Sequence, residues 1–143
     1  MNVTKVTDQR VFRILDANVN RVKEGLRVCE DVCRFAADKR SLTRRLKQCR
    51  HDLTGAVSRL PQKALLSARD VPRDTGRKTA FQESKRRNMN DIFWANAQRV
   101  KESLRVLEEL AKLFDGSLAE RLKRLRYRFY SLEKDYFLLT KRK

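Results

Sequence analysis

A fourteen-residue segment occurs twice in the chain, and this repeat constrains the fold more than any other feature of the sequence. Residues 17–30 read ANVNRVKEGLRVCE and residues 95–108 read ANAQRVKESLRVLE, so ten of the fourteen positions are identical. A weaker match continues after each copy, where residues 42–50 correspond to residues 118–126. The repeating unit is therefore predicted to be a hairpin of two helices that is present twice.

Apolar residues recur at three- and four-residue steps along most of the chain, which is the pattern of amphipathic helices. One segment, from about residue 61 to 86, lacks this pattern and contains both prolines. A short helical turn over residues 62–67 is compatible with its sequence. The main helices are predicted over about residues 9–37, 41–60, 87–114 and 117–139.

Residues that favour helix ends mark the boundaries of these helices. Ser41 is predicted to be the N-cap of the second helix. Gly116 suits the left-handed position that often follows a helix, here the third. Ser117 and Glu120 have the spacing of a capping box, which is predicted to open the fourth helix.

These patterns predict an all-α fold, in which a duplicated helical hairpin forms a four-helix bundle-like domain with a long central loop. The halves are expected to be related by a pseudo-two-fold axis. The whole chain, residues 1–143, is predicted to be a single domain. Repeat 1 spans about residues 10–60, the loop about 61–86, and repeat 2 about 87–140.

The net charge of the chain favours anionic partners. It has 35 Lys and Arg against 18 Asp and Glu, which gives a formal net charge of +17. Such a field attracts nucleic acid, anionic membrane surfaces and phosphorylated metabolites without choosing between them. No apolar run approaches membrane-spanning length, the N-terminus has no signal-peptide core, and the three cysteines fit a reducing compartment. The sequence predicts a soluble cytoplasmic protein with no membrane partner.

Some polar residues of the repeat fall among core positions on a helical wheel. Asn18 lies inside the apolar arc, Arg21 lies among apolar neighbours, and Glu24 stands just outside. The second copy repeats this placement with Asn96, Arg99 and Glu102. Two interpretations are open: buried networks that fix how the helices cross, or one wall of a polar cleft for an anionic ligand. The outer, solvated face is predicted to carry Lys23, Arg27 and Glu30.

The segment between the repeats carries the most groups capable of chemistry, which are Arg69, Asp70, Asp74 and Gly76, followed by Glu83 and Arg86. Carboxylates can hold Mg²⁺, which commonly bridges protein oxygens and substrate phosphates. Asp70 and Asp74 can equally be turn formers on the surface. The sequence contains no glycine-rich phosphate loop and no protein-kinase signature.

Two other residue sets have both a structural and a functional interpretation. A zinc site could use Cys29, Cys33, Cys49 and His51, but the equivalent positions of the second copy hold packing residues, which favours buried cysteines. The last helix carries nine Lys and Arg against two acidic residues between positions 121 and 143, with interleaved aromatics. This composition can serve single-stranded nucleic acid, but it also fits a packed helix with a basic outer face.

Four segments together resemble a known family: residues 13–31, 66–76, 95–109 and 125–134. They are similar to a helical domain found in front of bacterial thiamine-phosphate synthases and also as a stand-alone protein. That family is associated with an alternative, monofunctional hydroxymethylpyrimidine-phosphate kinase of thiamine biosynthesis. The resemblance implies transfer of the ATP γ-phosphate to hydroxymethylpyrimidine phosphate, giving the pyrophosphate. The synthase barrel is absent from this sequence, so a stand-alone form is expected.

Under this resemblance the expected cofactors are ATP and Mg²⁺, and the expected substrate is the phosphorylated pyrimidine. Asp70 and Asp74 are assigned as catalytic residues and as Mg²⁺ ligands. Substrate or phosphate binding is assigned to Asn18, Arg21, Glu24, Arg69, Gly76, Arg86, Asn96, Arg99 and Glu102.

The alternative hypothesis is a non-catalytic basic helical binding domain, which docks to thiamine-phosphate synthase or to nucleic acid. Nucleic acid is the less favoured of these two partners, because the sequence has no recognisable nucleic-acid-binding motif. A homodimer is compatible with the sequence.

Overall fold

The computed structural model describes residues 8–78 and 85–141, and every regular element in these two stretches is helical. This confirms the predicted all-α fold. The short turn suggested after Pro61 is a helix of its own within the segment that was predicted to be a loop. The elements are α1 Gln9–Asp31, a π-helical turn Val32–Ala36, α2 Arg40–Val57, α3 Gln62–Ala68, α4 Met89–Ala111 and α5 Gly116–Thr140.

The four long helices form a closed ring around one core. α1 packs on α2 and α4, and α5 packs on α4 and α2, while the short α3 lies against α1. α1 and α4 run antiparallel, since the Cys29 thiol donates a hydrogen bond to the carbonyl oxygen of Phe93 at 3.7 Å while Gly25 approaches Val100. The core between them consists mainly of leucine, valine, alanine and cysteine side chains. The two predicted hairpins therefore meet as a four-helix bundle.

A buried glutamate joins the two helices of each hairpin. In the first hairpin Glu30 accepts a hydrogen bond from Arg50 at 2.9 Å, and in the second Glu108 accepts one from Arg126 at 3.0 Å. Both carboxylates are buried. The prediction that Glu30 lies on a solvated outer face is wrong, because α2 packs against that flank of α1 and brings Arg50 to it.

α1 and α4 approach each other closely at Gly25. A Cβ atom on Gly25 would lie 2.8 Å from Val100 Cγ2 and 3.1 Å from the carbonyl oxygen of Asn96. Such distances are shorter than van der Waals contact, so only glycine fits without movement of α4. The equivalent residue of the second copy, Ser103, is also small and buried.

Three helix ends differ from those predicted. Asp115, not Ser117, caps α5, because its carboxylate accepts a hydrogen bond from the backbone N–H of Leu118 at 3.1 Å. A carboxylate at this position also interacts favourably with the helix dipole, so the helix starts at Gly116. Gly116 does not adopt the predicted left-handed conformation, because no described glycine has a positive φ. Among the described residues, the left-handed one is Asp38, with a φ of 55°. α2 begins after Lys39, so Ser41 is not its N-cap.

Other helix ends also differ from the prediction. The last turn of the predicted first helix is π-helical, the second helix ends at Val57 instead of near Leu60, and the third ends at Ala111 instead of near Phe114. Within residues 8–78 and 85–141, no helix combines the length and the apolar character needed to cross a membrane.

Replacing Glu108 by Ala should destabilise the fold by about 2–4 kcal/mol, since it leaves the buried Arg126 guanidinium without its carboxylate. The measurement is the free energy of unfolding from urea titration. The matched control is Glu109→Ala, which removes the neighbouring, half-exposed carboxylate and should change the midpoint little. Equal midpoints for both variants would contradict the proposed importance of the buried pair.

Gly25→Ala should destabilise the bundle by about 1–3 kcal/mol despite the better helix propensity of alanine, because the added methyl group meets Val100. Gly55 is the control, since the nearest atom to a Cβ there is Arg121 Nη2 at 3.7 Å. Gly55→Ala should therefore leave the unfolding midpoint unchanged or raise it. If both substitutions stabilise the protein equally, the close approach of α1 and α4 does not restrict the residue at position 25.

Candidate functional site

Two neighbouring clefts lie along the face formed by α1, α4 and the segment after α3. The first has a volume of about 440 Å³ and is lined by Arg10, Arg13, Ile14, Asp16, Ala17, Asn18, Arg21, Arg69, Asp70, Val71 and Asp74. The second has a volume of about 480 Å³ and is lined by Asn18, Arg21, Gly76, Lys78, Arg99, Glu102, Ser103 and Val106. Asn18 and Arg21 line both, so the clefts form one continuous polar region.

The two repeated asparagines make the same contact in their own helices. Asn18 Nδ2 donates to the carbonyl oxygen of Ile14 at 2.8 Å, and Asn96 Nδ2 donates to that of Ile92 at 2.8 Å. Asn18 also accepts a hydrogen bond from Arg21 Nη1 at 3.4 Å. Its amide is therefore satisfied although it is buried, and its orientation is fixed by α1 itself.

The repeated arginines are more accessible than the helical wheel predicts. Arg21 and Arg99 are both exposed, as are Glu24 and Glu102. A long arginine side chain that starts at the edge of an apolar arc can extend over its neighbours into water. Since Arg21 and Arg99 line the second cleft, their guanidinium groups are available to a ligand there.

An ion pair fastens the segment after α3 to α1. Arg69 donates to both carboxylate oxygens of Asp16, with Nε–Oδ2 at 2.7 Å and Nη2–Oδ1 at 2.8 Å. These hydrogen bonds raise the pKa of Arg69 above its ordinary value. The Arg69 guanidinium is therefore bound by Asp16, and this ion pair holds the segment that forms one wall of the first cleft.

Asp16 is a site residue that the sequence did not reveal. It precedes the repeat, and its equivalent in the second copy is Trp94. On the helical wheel it lies opposite the apolar arc of α1, where an aspartate normally indicates a solvated surface. It is buried because Arg69 and the α3 segment pack over it, a long-range contact that no local pattern records.

Asp70 and Asp74 form turns in the segment that follows Arg69. Asp70 Oδ1 accepts a hydrogen bond from the backbone N–H of Arg73 at 3.3 Å, and Asp74 Oδ1 accepts one from that of Gly76 at 2.9 Å. In the part of the chain that the structure describes, no three His, Cys, Asp or Glu side chains are grouped so as to hold a metal ion. The turn-forming contacts are thus observed, while the catalytic and Mg²⁺-binding roles stay predictions.

Several predicted site residues do not line these clefts. They are Glu24, Asn96 and Arg86, the last of which precedes α4 and donates to the carbonyl oxygen of Lys85 at 2.9 Å. Glu83 lies outside the described residues. The clefts do bring together Asn18, Arg21, Arg69, Asp70, Asp74, Gly76, Arg99 and Glu102.

The second cleft has an electropositive lining. Arg21, Lys78 and Arg99 contribute three cationic groups, against the single carboxylate of Glu102. Guanidinium groups on two facing helices suit a phosphate or carboxylate ligand. Anion binding is therefore chemically feasible here, and the ligand-binding roles of these residues stay predictions.

The cysteines belong to the core. Cys29, Cys33 and Cys49 are all buried with free thiols. Burial raises the pKa of Cys33 to about 12 and also raises the pKa values of Cys29 and Cys49. Thiols held in this protonated form pack as small apolar side chains.

Comparison with known proteins gives the family. The model of the ThiD2 family matches residues 13–135, so the chain belongs to that family. It is 46% identical over 124 residues to a protein of Synechocystis sp. named thiamine-phosphate synthase, an alignment that covers 86% of this chain and 35% of that protein. The thiamine-phosphate synthases of Nostoc punctiforme and Rhodopirellula baltica are 43% and 40% identical, covering 87% and 90% of this chain and 35% of each relative.

The chain thus spans about a third of the length of these relatives. No solved structure gives a significant match. The membership confirms the resemblance to the helical domain associated with thiamine-phosphate synthases.

These comparisons correct the prediction of function. The expected ATP-dependent hydroxymethylpyrimidine-phosphate kinase is not supported, because the matched relatives carry the name of a synthase and this chain corresponds to only part of each. The alternative of a helical binding domain that docks to thiamine-phosphate synthase fits the findings better. Binding of ATP and Mg²⁺ stays an untested expectation.

Asp16→Ala should loosen the segment over residues 69–78, because it removes both hydrogen bonds that hold Arg69 to α1. Hydrogen exchange followed by mass spectrometry should show several-fold faster exchange in this segment and unchanged exchange in α4 and α5. Asp135→Ala is the control, since it removes a different interhelical ion pair, with Arg45 at 2.6 Å. Unchanged exchange over residues 69–78 in the Asp16 variant would show that other contacts hold the segment.

Proposed function

We propose that this member of the ThiD2 family is a helical binding domain that docks to thiamine-phosphate synthase. The observation that carries the proposal is the partial coverage of the relatives. A counterpart of this chain makes up about a third of proteins named thiamine-phosphate synthase, so in them it shares a polypeptide with the remaining two thirds. Domains joined in this way meet at effective concentrations in the millimolar range, which favours a contact surface between them.

The charge and surface of the chain are consistent with docking. A net charge of +17 steers association with an acidic partner surface and accelerates the encounter. The helices also expose large apolar side chains, among them five on α5: Tyr127, Tyr130, Phe137, Leu138 and Leu139. Exposed aromatic and aliphatic side chains amid charged ones are typical of interaction surfaces.

The chain should bind a separately expressed thiamine-phosphate synthase whose own sequence lacks a counterpart of this chain. We expect a dissociation constant in the micromolar range or tighter, and weaker binding as salt is raised, because charge attraction contributes. Isothermal titration calorimetry at two salt concentrations measures both quantities.

The control is a synthase that already contains such a segment, for example the Synechocystis relative. Its own helical segment should occupy the docking surface, so it should bind the added chain much more weakly. Failure of the first synthase to bind at low salt, with the chain shown to be folded by circular dichroism, would refute the proposed function. Equal binding of both synthases would refute a shared docking surface.

A further inference from the structure

We infer that the synthase docks on one face of α5, an inference that rests on the proposed function. This face, here called the α5 stripe, is defined by Lys123, Tyr127, Tyr130, Lys134 and Phe137 of α5 and by its C-cap residue Lys141. The six residues follow one another at steps of three or four, so they lie on a single side of the helix. The stripe carries three lysine and three aromatic side chains along about five helical turns and contains no acidic residue.

The aromatic residues of α5 divide cleanly between core and surface. Phe129 and Tyr136 are buried, whereas Tyr127, Tyr130 and Phe137 are 52%, 40% and 47% exposed. The interpretation of the last helix as a packed helix with a basic outer face thus accounts for the two buried rings but not for the three exposed ones. Three large aromatic rings are therefore exposed on one face of the helix. Single exposed apolar residues are common on protein surfaces, whereas several on one face indicate an interaction site.

A buried arginine holds two of these rings in place. The Arg126 guanidinium carbon lies 5.1 Å from the ring centre of Tyr127 and 5.7 Å from that of Tyr130. Arg126 Nη1 also donates a hydrogen bond to the Tyr130 hydroxyl at 2.7 Å, while its Nε is held by the buried Glu108. The tyrosines are therefore ordered before a partner arrives, which lowers the entropic cost of binding.

A groove of about 410 Å³ continues this surface from the α5 stripe towards α4. It is lined by Gln98, Lys101, Glu102, Arg105, Arg126 and Tyr130. Tyr130 belongs to both the stripe and the groove, so the two form one surface. Glu102 lines both this groove and the second cleft, so a partner seated here would adjoin that cleft.

The composition of this surface defines the partner. Tyrosine and arginine are enriched in the buried centres of protein interfaces, and the flanking lysines require acidic groups at the rim of the partner. We therefore expect the synthase to present an acidic, partly apolar surface to α5. Single-stranded nucleic acid also uses cations and aromatics, but the Tyr127 and Tyr130 rings are tilted by 59° to each other, which does not provide parallel platforms for successive bases.

The test compares two double variants in the calorimetric assay with the synthase that lacks its own helical segment. Tyr127→Ala with Phe137→Ala removes two exposed rings of the stripe. Phe35→Ala with Leu113→Ala removes side chains that are more exposed, 71% and 68%, but belong to neither α5 nor its stripe. We expect the first pair to weaken binding by about tenfold or more and the second by less than about twofold.

A charge reversal, Lys134→Glu, is the third variant. It alters an exposed side chain and should not disturb folding, so it keeps the test decisive if an aromatic variant is unstable. Binding should weaken, and the difference between the affinities at low and high salt should shrink, because one cation of the surface is lost. Circular dichroism and urea unfolding establish that each variant is folded.

The outcomes separate this inference from the proposed function. No binding by the unaltered chain refutes the proposed function itself. Binding that survives all α5 substitutions, or that falls equally with the Phe35 and Leu113 pair, refutes the α5 stripe while the proposed function stands. Loss of oligonucleotide binding or of self-association in the α5 variants, with synthase binding retained, would assign the stripe to nucleic acid or to a second copy and also overturn the inference.

Discussion

The structure depends on a carboxylate buried between the helices of each hairpin. A charge removed from water is stable only when an opposite charge is held against it, so Glu30 and Glu108 impose the register at which α2 and α5 pack. Both copies retain this pair, with Arg50 and Arg126 as partners. In the second hairpin the consequence reaches the surface, because Arg126 also orders the tyrosines of α5. Core electrostatics and the proposed docking surface are therefore parts of one network.

Local patterns in the sequence predict the helices and the duplication, because periodicity and repetition are properties of neighbouring residues. They place Asn18 correctly in a buried position, but they misplace Glu30, whose burial depends on α2. Asp16 was missed for the same reason, since its partner Arg69 lies 53 residues away. The start of α5 was misjudged because Asp115 and Ser117 are both good caps, and choosing between them requires the backbone geometry.

The candidate site arises where the duplicated part of the chain meets the unduplicated part. α1 and α4 are equivalent helices and offer equivalent arginines, Arg21 and Arg99. The segment after α3 has no counterpart, and it is fastened to α1 through the Arg69–Asp16 pair. The family resemblance led to the prediction of phosphoryl transfer at this place, whereas the relatives' names associate the chain with a synthase. A cleft with suitable charges permits anion binding, but charges alone do not define a reaction.

The ion pair between Arg69 and Asp16 affects the symmetry of the duplicated fold. A domain made of two equal hairpins would present two equal faces if nothing distinguished them. Asp16 fixes the unrepeated segment to the first copy, whereas the equivalent Trp94 packs edge-on to Tyr136 with ring centres 5.6 Å apart. The two copies thus have different neighbours, and Glu24 and Asn96 line neither cleft although Glu102 and Asn18 do. In the part of the chain that the structure describes, the duplicated fold is consequently asymmetric at its surface, because the segment after α3 forms the first cleft with α1 and not with α4.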